Sequence, residues 1–301
     1  MRDCNNKAGK LSISMALGLA APQTWTAALI PALLGAALAR EGAKERPLLL
    51  LSMAAACLLM QSAANVFNDY CDFIKGGDTL ENSPDAEEAV LLYQRPEPKK
   101  ALYLGVALLL AAAAAGVPAI LKAGWPALAV GAAGAATLLA YSFGKKPLSY
   151  LPLGELSSGF VMGGLIPLGV SGTLDGNFTA AALYRALPIM LGVGLIMLTN
   201  NIWDIEKDKN SGRNTFAVML GEKRSLNLYH IIFTLWTLLP VIMLSPDGVA
   251  IYLLGLLASA SAAAVQLRLS PEPGTRLRAM AGINSLNALL GSAYIIAVLF
   301  S

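Results

Sequence analysis

The chain has 301 residues, of which 56 % are hydrophobic and 14 % charged, with a formal net charge of +3 and a single histidine. Soluble domains carry roughly 25 % charged residues, so most of this chain has no means of building a water-facing surface, and no basic surface for nucleic acid is expected. The lone His230 excludes a multi-histidine metal site, and the dispersed Cys4, Cys57 and Cys71 support neither a disulfide framework nor a zinc cluster.

A spanning helix needs about 20 apolar residues, and nine stretches meet or approach that length: 16–39, 47–67, 101–121, 125–143, 153–171, 184–202, 226–244, 249–267 and 279–300. The first follows Arg2, Lys7 and Lys10, and Ala37-Leu38-Ala39 could pass for a signal-peptidase site. Its apolar region, interrupted by Pro22 and Pro31, exceeds the roughly 7–15 residues of a signal core, so it is read as a retained helix. The second span runs into Asn65-Val66-Phe67-Asn68-Asp69-Tyr70-Cys71-Asp72, and the loop that follows, 68–100, carries eight acids, including Glu81, Asp85, Glu87 and Glu88. The fourth span closes near Tyr141, which at helical spacing would share a face with Lys145. The sixth runs into Asn200-Asn201-Ile202-Trp203-Asp204-Ile205-Glu206-Lys207-Asp208, and the loop 203–225 is dense in both charges. The ninth carries Asn284 and Asn287, three residues apart and so on one face. These amides are expected either to bond between helices or, together with Asn65 and Asn200, to orient a bound ring.

No linker or composition shift divides the chain, so residues 1–301 are read as one all-α, polytopic membrane domain. Of the 22 Lys and Arg, 17 fall at the N-terminus and in the loops after spans two, four, six and eight. The positive-inside rule then puts the N-terminus and those loops in the cytoplasm and the C-terminus outside. The two Asn-x-x-x-Asp stretches lie 135 residues and four spans apart in the same orientation, which suggests two four-helix halves plus one further helix.

Spacings of three and four put Asn65, Asp69 and Asp72 on one helix face, and Asn200 or Asn201 with Asp204 and Asp208 on another. Each helix end therefore presents a pair of like charges where the helix macrodipole is already negative, an arrangement that calls for a cation. Solvated carboxylates at a membrane exit are the competing reading; two matched clusters on one face, each preceded by Asn at membrane depth, argue against it. Oxygen ligands without His or Cys select a hard ion, and Mg²⁺ held by few carboxylates completes its shell with water and substrate phosphate. Asp78, beyond Gly76-Gly77, could add a carboxylate, and Lys145, Lys146, Lys209 and Arg213 are candidates for the diphosphate such an ion would carry.

The stretch Asn68-Asp69-Tyr70-Cys71-Asp72, followed by Lys75-Gly76-Gly77-Asp78, together with the second stretch 200–208 and Gly212-Arg213-Asn214-Thr215, resembles the UbiA superfamily of membrane prenyltransferases. Ala21-Pro22-Gln23-Thr24-Trp25 is also similar, and the likeness is greatest to the branch that prenylates 1,4-dihydroxy-2-naphthoate in menaquinone synthesis. The resemblance implies nine helices and a Mg²⁺-dependent enzyme, with Mn²⁺ as a substitute. Asp69, Asp72, Asp78, Asp204 and Asp208 would be metal ligands. Asn65, Asn68, Asn200, Asn201, Lys146, Lys209 and Arg213 would line the site around the ion and its diphosphate, and Tyr141 and Lys145 would act in catalysis with Asp69, Asp72, Asp204 and Asp208. It implies ionisation of a polyprenyl diphosphate, alkylation of an aromatic acid and loss of its carboxyl as CO₂, with the tail in an apolar tunnel beside the small-residue stretches 111–116 and 131–136. The pattern's last Asp falls on Gly76, so Asp78 is expected to replace it. Other branches, acting on 4-hydroxybenzoate or an isoprenoid glycerol phosphate or cyclising terpenes, share the same metal chemistry. A secondary transporter would place its polar residues near the midplane, not at one face.

Overall fold

A computed structural model describes residues 10–80, 89–272 and 274–301. Arg2, Cys4, Lys7 and the acids Glu81, Asp85, Glu87 and Glu88 lie outside the described residues. The chain is helical throughout: α1 Ile13–Ala20, α2 Thr26–Leu38, α3 Arg40–Glu45, α4 Pro47–Lys75, α5 Val90–Tyr93, α6 Pro98–Ala123, α7 Trp125–Ser142, α8 Gly154–Phe160, α9 Ile166–Asp175, α10 Ala180–Trp203, α11 Ile205–Asn210, α12 Phe216–Leu220, α13 Glu222–Met243, α14 Pro246–Leu267 and α15 Arg276–Leu299. Among the described residues, eight helical segments are long and apolar enough to cross a bilayer, or nine if the bent pair α1–α2 counts as one span.

The departures from the expected spans have local causes. The first is not one continuous helix: Ala21 takes a left-handed conformation (φ 47°), Pro22 opens a short 3₁₀ turn, and the chain bends by 53° before α2. A residue before proline is disfavoured in the helical region, which is why the break falls here. The fifth span is α8 and α9 joined by a π-helical turn over Val161–Leu165; there Gly163 lies against the backbone of Met190, where a Cβ would stand 2.5 Å from its Cα. The second span does not stop where its apolar run stops. As α4 it continues for 29 residues to a left-handed Gly76 (φ 73°), roughly 44 Å at 1.5 Å per residue, so Asn65, Asn68, Asp69 and Asp72 all ride on unbroken helix.

The helices α10 and α15 are central. In their spanning windows 44 % and 50 % of residues are buried, as are 50 % in the α8–α9 span, against 11–22 % in α4, α6, α7, α13 and α14. One apolar cluster joins Ile30 and Leu34 of α2 with Ile189 and Val193 of α10 and Tyr252 and Tyr294 of α14 and α15. A second joins Leu198 and Ile202 of α10 with Phe233 and Trp236 of α13 and Ile283 and Leu286 of α15. Between these helices Asn287 Nδ2 donates to Gly192 O and to Ile283 O, each at 3.1 Å, and Asn284 Nδ2 donates to Met280 O at 2.9 Å. Neither amide lines either of the two cavities described below, so the expectation that they orient a bound ring gives way to the interhelical role: their hydrogen bonds go to the protein backbone.

Candidate functional site

The C-terminal half of α4 carries Asn65, Asn68, Asp69 and Asp72 toward one end of the bundle, and the end of α10 meets it there. At Asp204 the backbone leaves helical geometry (φ −101°, ψ 10°) and restarts as α11. Asp204 stands at the break itself, as the N-cap of α11, and Asp208 N donates to Asp204 O at 2.7 Å, so the helical spacing between the two aspartates is kept beyond it. The turn beyond α11 uses a left-handed Gly212 (φ 73°), and Arg213 N donates to Asp208 O at 2.9 Å. Thr215 caps α12 and its hydroxyl donates to Asp208 Oδ2 at 3.3 Å.

Three cations connect the acids. The Arg213 guanidinium pairs with Asp72 Oδ1 and lies 3.6 Å from Asp208 Oδ1, joining the two Asn/Asp stretches. Lys207 Nζ pairs with Asp78 Oδ1 at 2.8 Å. Arg276, at the start of α15, donates from Nε to Asp204 Oδ1 at 2.8 Å and from Nη2 to Asp204 Oδ2 at 3.1 Å and Asn200 Oδ1 at 2.6 Å. Asp69 makes no ion pair among the described residues. Beneath Arg213 the Tyr150 ring lies 5.2 Å from its guanidinium and 5.1 Å from Lys75 Nζ, two cation–π contacts on one ring. Burial pushes the Asp208 carboxyl up to about 6, with Arg213 and the Thr215 hydroxyl opposing the rise. Burial also works against charged Arg213, but the Asp72 and Asp208 carboxylates outweigh it and raise the guanidinium further.

Two cavities meet at this point. A polar one of about 870 Å³ is lined by Asp69, Asp72, Asp78, Asp204, Lys207 and Arg276, among others. An apolar one of about 650 Å³ extends between α4, α6, α7 and α8–α9, with Tyr141, Ser149 and Asn201 near its polar end. Thr24, Asn65, Asn68, Asn200, Arg213 and Met280 line both and form the neck between them. At the neck Asn65 Nδ2 donates to Ala20 O at 3.0 Å and Thr24 Oγ1 at 2.9 Å, and Asn68 Nδ2 donates to Asp72 Oδ2 at 3.2 Å.

The structure thus gathers Asn65, Asn68, Asp69, Asp72, Asp78, Asn200, Asp204 and Arg213. Asp208 is buried behind Arg213 and is not on the polar wall. Asn201 faces away from the acids, its Nδ2 donating to the buried Glu155 at 2.8 Å. Lys209 is exposed and pairs with Glu206 at 2.6 Å. The expected Tyr141–Lys145 face does not form, because α7 ends at Ser142 and Gly144 turns the chain with φ 103°. Lys145 and Lys146 are exposed and outside both cavities, while Tyr141 stays on the apolar wall with its hydroxyl 3.2 Å from Met197 Sδ. The sequence reading passed over Lys207, Glu155 and Arg276. Lys207 sits inside the second stretch, between Asp204 and Asp208, which is the signal that points to it; Arg276 carries no such signal and reads in the sequence as a loop charge.

As to a metal, no three acids among the described residues converge on one point. The metal-ligating groups on the polar wall are nevertheless oxygens, and Asp69 makes no ion pair among the described residues. That set fits a hard divalent ion bound by one or two carboxylates and a phosphate, and not one enclosed in a protein cage.

Comparison with known proteins agrees with this geometry. Residues 28–291 match the UbiA prenyltransferase family. The chain is 36 % identical over 210 residues to the 1,4-dihydroxy-2-naphthoate octaprenyltransferase of Bacillus subtilis, covering 70 % of this chain and 67 % of that one. It is 28 % identical to the UbiA prenyltransferase domain-containing protein 1 of Rattus norvegicus, covering 93 % and 82 % respectively. In fold it is similar to a UbiA homolog from Archaeoglobus fulgidus solved with GPP and Mg²⁺, with a TM-score of 0.57 at 15 % identity over 94 % of this chain and 99 % of that one.

Proposed function

This chain belongs to the UbiA prenyltransferase family, and from that premise we propose that it transfers a polyprenyl group to 1,4-dihydroxy-2-naphthoate, with decarboxylation, in menaquinone synthesis. The observation that carries the reading is the pair of cavities sharing one neck: a charged chamber suited to a diphosphate opens directly onto an apolar chamber suited to its tail. The acceptor is taken from the Bacillus subtilis relative.

Of the five aspartates expected to hold Mg²⁺, Asp69, Asp72, Asp78 and Asp204 stand on the polar wall and would supply its one or two carboxylates, while Asp208 lies behind Arg213; Mn²⁺ is expected to substitute. When bound, the ion neutralises charge on the departing diphosphate. Arg213, Lys207 and Arg276 add fixed positive charge on the same wall, which is worth most in a water-poor site. Asn65, Asn68 and Asn200 present amides at the neck, where the allylic carbon would lie. The C–O bond to the diphosphate breaks, the ring carbon bearing the carboxyl bonds to the allylic carbon, and CO₂ departs leaving its bonding electrons to the ring. The small residues on the apolar wall, Ala112, Ala113, Gly116, Gly131, Ala132 and Ala135, leave room for a tail and keep water from the cation.

The test is to incubate membranes containing the protein with Mg²⁺, a labelled polyprenyl diphosphate and a panel of aromatic acids. A lipid product whose mass corresponds to the naphthoate plus the prenyl group less CO₂ is expected, and EDTA should abolish it. Product from 4-hydroxybenzoate alone would move the chain to another branch. Full turnover in chelator would remove the metal from the reading.

A further inference from the structure

The carboxyl of Glu155, in the first turn of α8, is 9 % exposed. Its Oε1 accepts from Asn201 Nδ2 at 2.8 Å, and its Oε2 is sealed with no hydrogen-bond partner. An ionisable group in a spanning segment is costly and marks function by default. None of the charged contacts at the polar cavity involves it.

What Glu155 does is read from its partner. A primary amide has one donor end and one acceptor end, and Asn201 spends its donor on Glu155. Asn201 stands on the apolar cavity's wall, so the end left for the cavity is its oxygen, which has no protein partner among the described residues and is not sealed. Gly154 brings the start of α8 close: a Cβ there would stand 3.7 Å from Tyr141 Oη and 4.0 Å from Asn201 Nδ2. Tyr141 spends its hydroxyl proton on Met197 Sδ and so also turns lone pairs to the cavity. Two acceptors just beyond the neck, with the Arg213 guanidinium between the chambers, match a ring that brings O–H donors and an anionic group. A prenyl tail has no hydrogen to donate and gains nothing from them.

We propose that Glu155 is a positioning residue for the aromatic acceptor: it fixes the Asn201 amide with its oxygen toward the cavity, where that oxygen accepts a hydrogen bond from a ring hydroxyl. The proposal rests on the aromatic-acceptor reading above.

Glu155→Gln keeps the volume but can itself donate, which frees Asn201 to turn its nitrogen to the cavity. With purified protein and 1,4-dihydroxy-2-naphthoate, the acceptor KM is expected to rise about tenfold, the loss of one hydrogen bond. The KM for the polyprenyl diphosphate should stay within about twofold. In the double variant Glu155→Gln/Asn201→Asp the new amide donates to the new carboxylate, whose second oxygen again faces the cavity as an acceptor. The acceptor KM should return to within about threefold of the parent's, a rescue that a purely packing role would not give. An unchanged acceptor KM in Glu155→Gln, an equal rise for both substrates, or a double variant worse than the single one overturns the role. Should Glu155→Gln not accumulate as folded protein, Asn201→Ala removes the oxygen directly and must show the same split between substrates, and its absence overturns the role equally. A parent protein that cleaves the diphosphate but prenylates no hydroxylated aromatic acid brings down the acceptor reading itself, and this role with it.

Discussion

Arg213 reaches across 141 residues of sequence to Asp72 while also lying against Asp208 in its own turn, so one side chain couples the two halves of the site. Its fork geometry is what permits this, since a lysine carries the charge but only a point donor. Arg213→Lys is therefore expected to accumulate as folded protein and lose about a hundredfold in kcat, the scale of removing one fixed donor from a charge-stabilising site; near-parental kcat would show that charge alone suffices. Arg213→Ala leaves Asp72 and Asp208 buried without their cation, which costs about 3–5 kcal/mol when a partly buried pair is broken and should appear as a lower melting temperature in detergent. Asp72→Asn and Asp204→Asn keep shape and remove charge, so both should fold and lose turnover by orders of magnitude; retained turnover in both would detach the acids from the reaction. Much of this constellation was legible at the level of single residues, because carboxylates recurring at helical spacing beside apolar runs have few bland explanations. Lys145 was misplaced for a physical reason: its face relation to Tyr141 assumed that α7 continued, whereas Gly144 ends it. Arg276 was illegible because nothing in the order of the chain ties it to an aspartate 72 positions earlier.

Among the elements, α4 shows how packing delivers the first acidic stretch to its place. Gly105 of α6 lets the Phe67 ring lie directly on the α6 backbone, where a Cβ would come within 2.5 Å of it, and Asn68 and Asp69 follow immediately. Gly105→Ala is expected to push α4 outward, cost about 1–3 kcal/mol of stability and lower turnover with it. Gly116→Ala, on the same helix with nothing within 4 Å, should instead be neutral or stabilise by up to about 1 kcal/mol through helix propensity. Thermal melts of the two variants side by side check the contrast, and equal effects would mean that close approach at Phe67 is not what holds α4. The interior of α15 follows the same logic. Asn287→Leu removes a bond to Gly192 O worth about 1 kcal/mol in a membrane bundle, so a lower melting temperature and an unchanged ratio of the two KM values are expected; a rise confined to the acceptor KM would return Asn287 to the substrate. Sequence periodicity could show that two amides share a face of this helix. It could not show that the face meets the backbone of α10 and no cavity, because that depends on Gly192 admitting it.

At the scale of the whole molecule, the bent pair α1–α2 decides the number of crossings. Ala20 O and Thr24 accept from Asn65, which fixes the bend at the level of the neck. At the other end of α2, Arg40 Nη1 reaches Leu299 O at 3.4 Å, and Arg46 Nη1 reaches Leu174 O at 3.1 Å, so α2, α9 and α15 all finish at the face away from the acids. Because α15 starts at the acids through Arg276 and ends beside Arg40, it measures the full thickness of the bundle. The 12 residues of Ile13–Thr24 and the 13 of Thr26–Leu38, bent by 53°, project to roughly 30 Å along one axis at 1.5 Å per residue, the thickness of the hydrocarbon core. The pair is therefore long enough to span, and we propose that it does, which predicts nine crossings with Lys10 and Ser301 on opposite faces. On the same proposal, the excess of Lys and Arg on the acid-bearing face predicts by the positive-inside rule that this face is cytoplasmic. A reporter fused after Ser301 should accordingly be active only outside the cytoplasm, and one inserted at Glu87 only inside; a cysteine placed at Lys10 should resist an impermeant thiol reagent in intact cells. A Lys10 cysteine labelled by the reagent together with a reporter at Ser301 active outside would put both termini on one face, so that α1–α2 is re-entrant and the bundle has eight crossings.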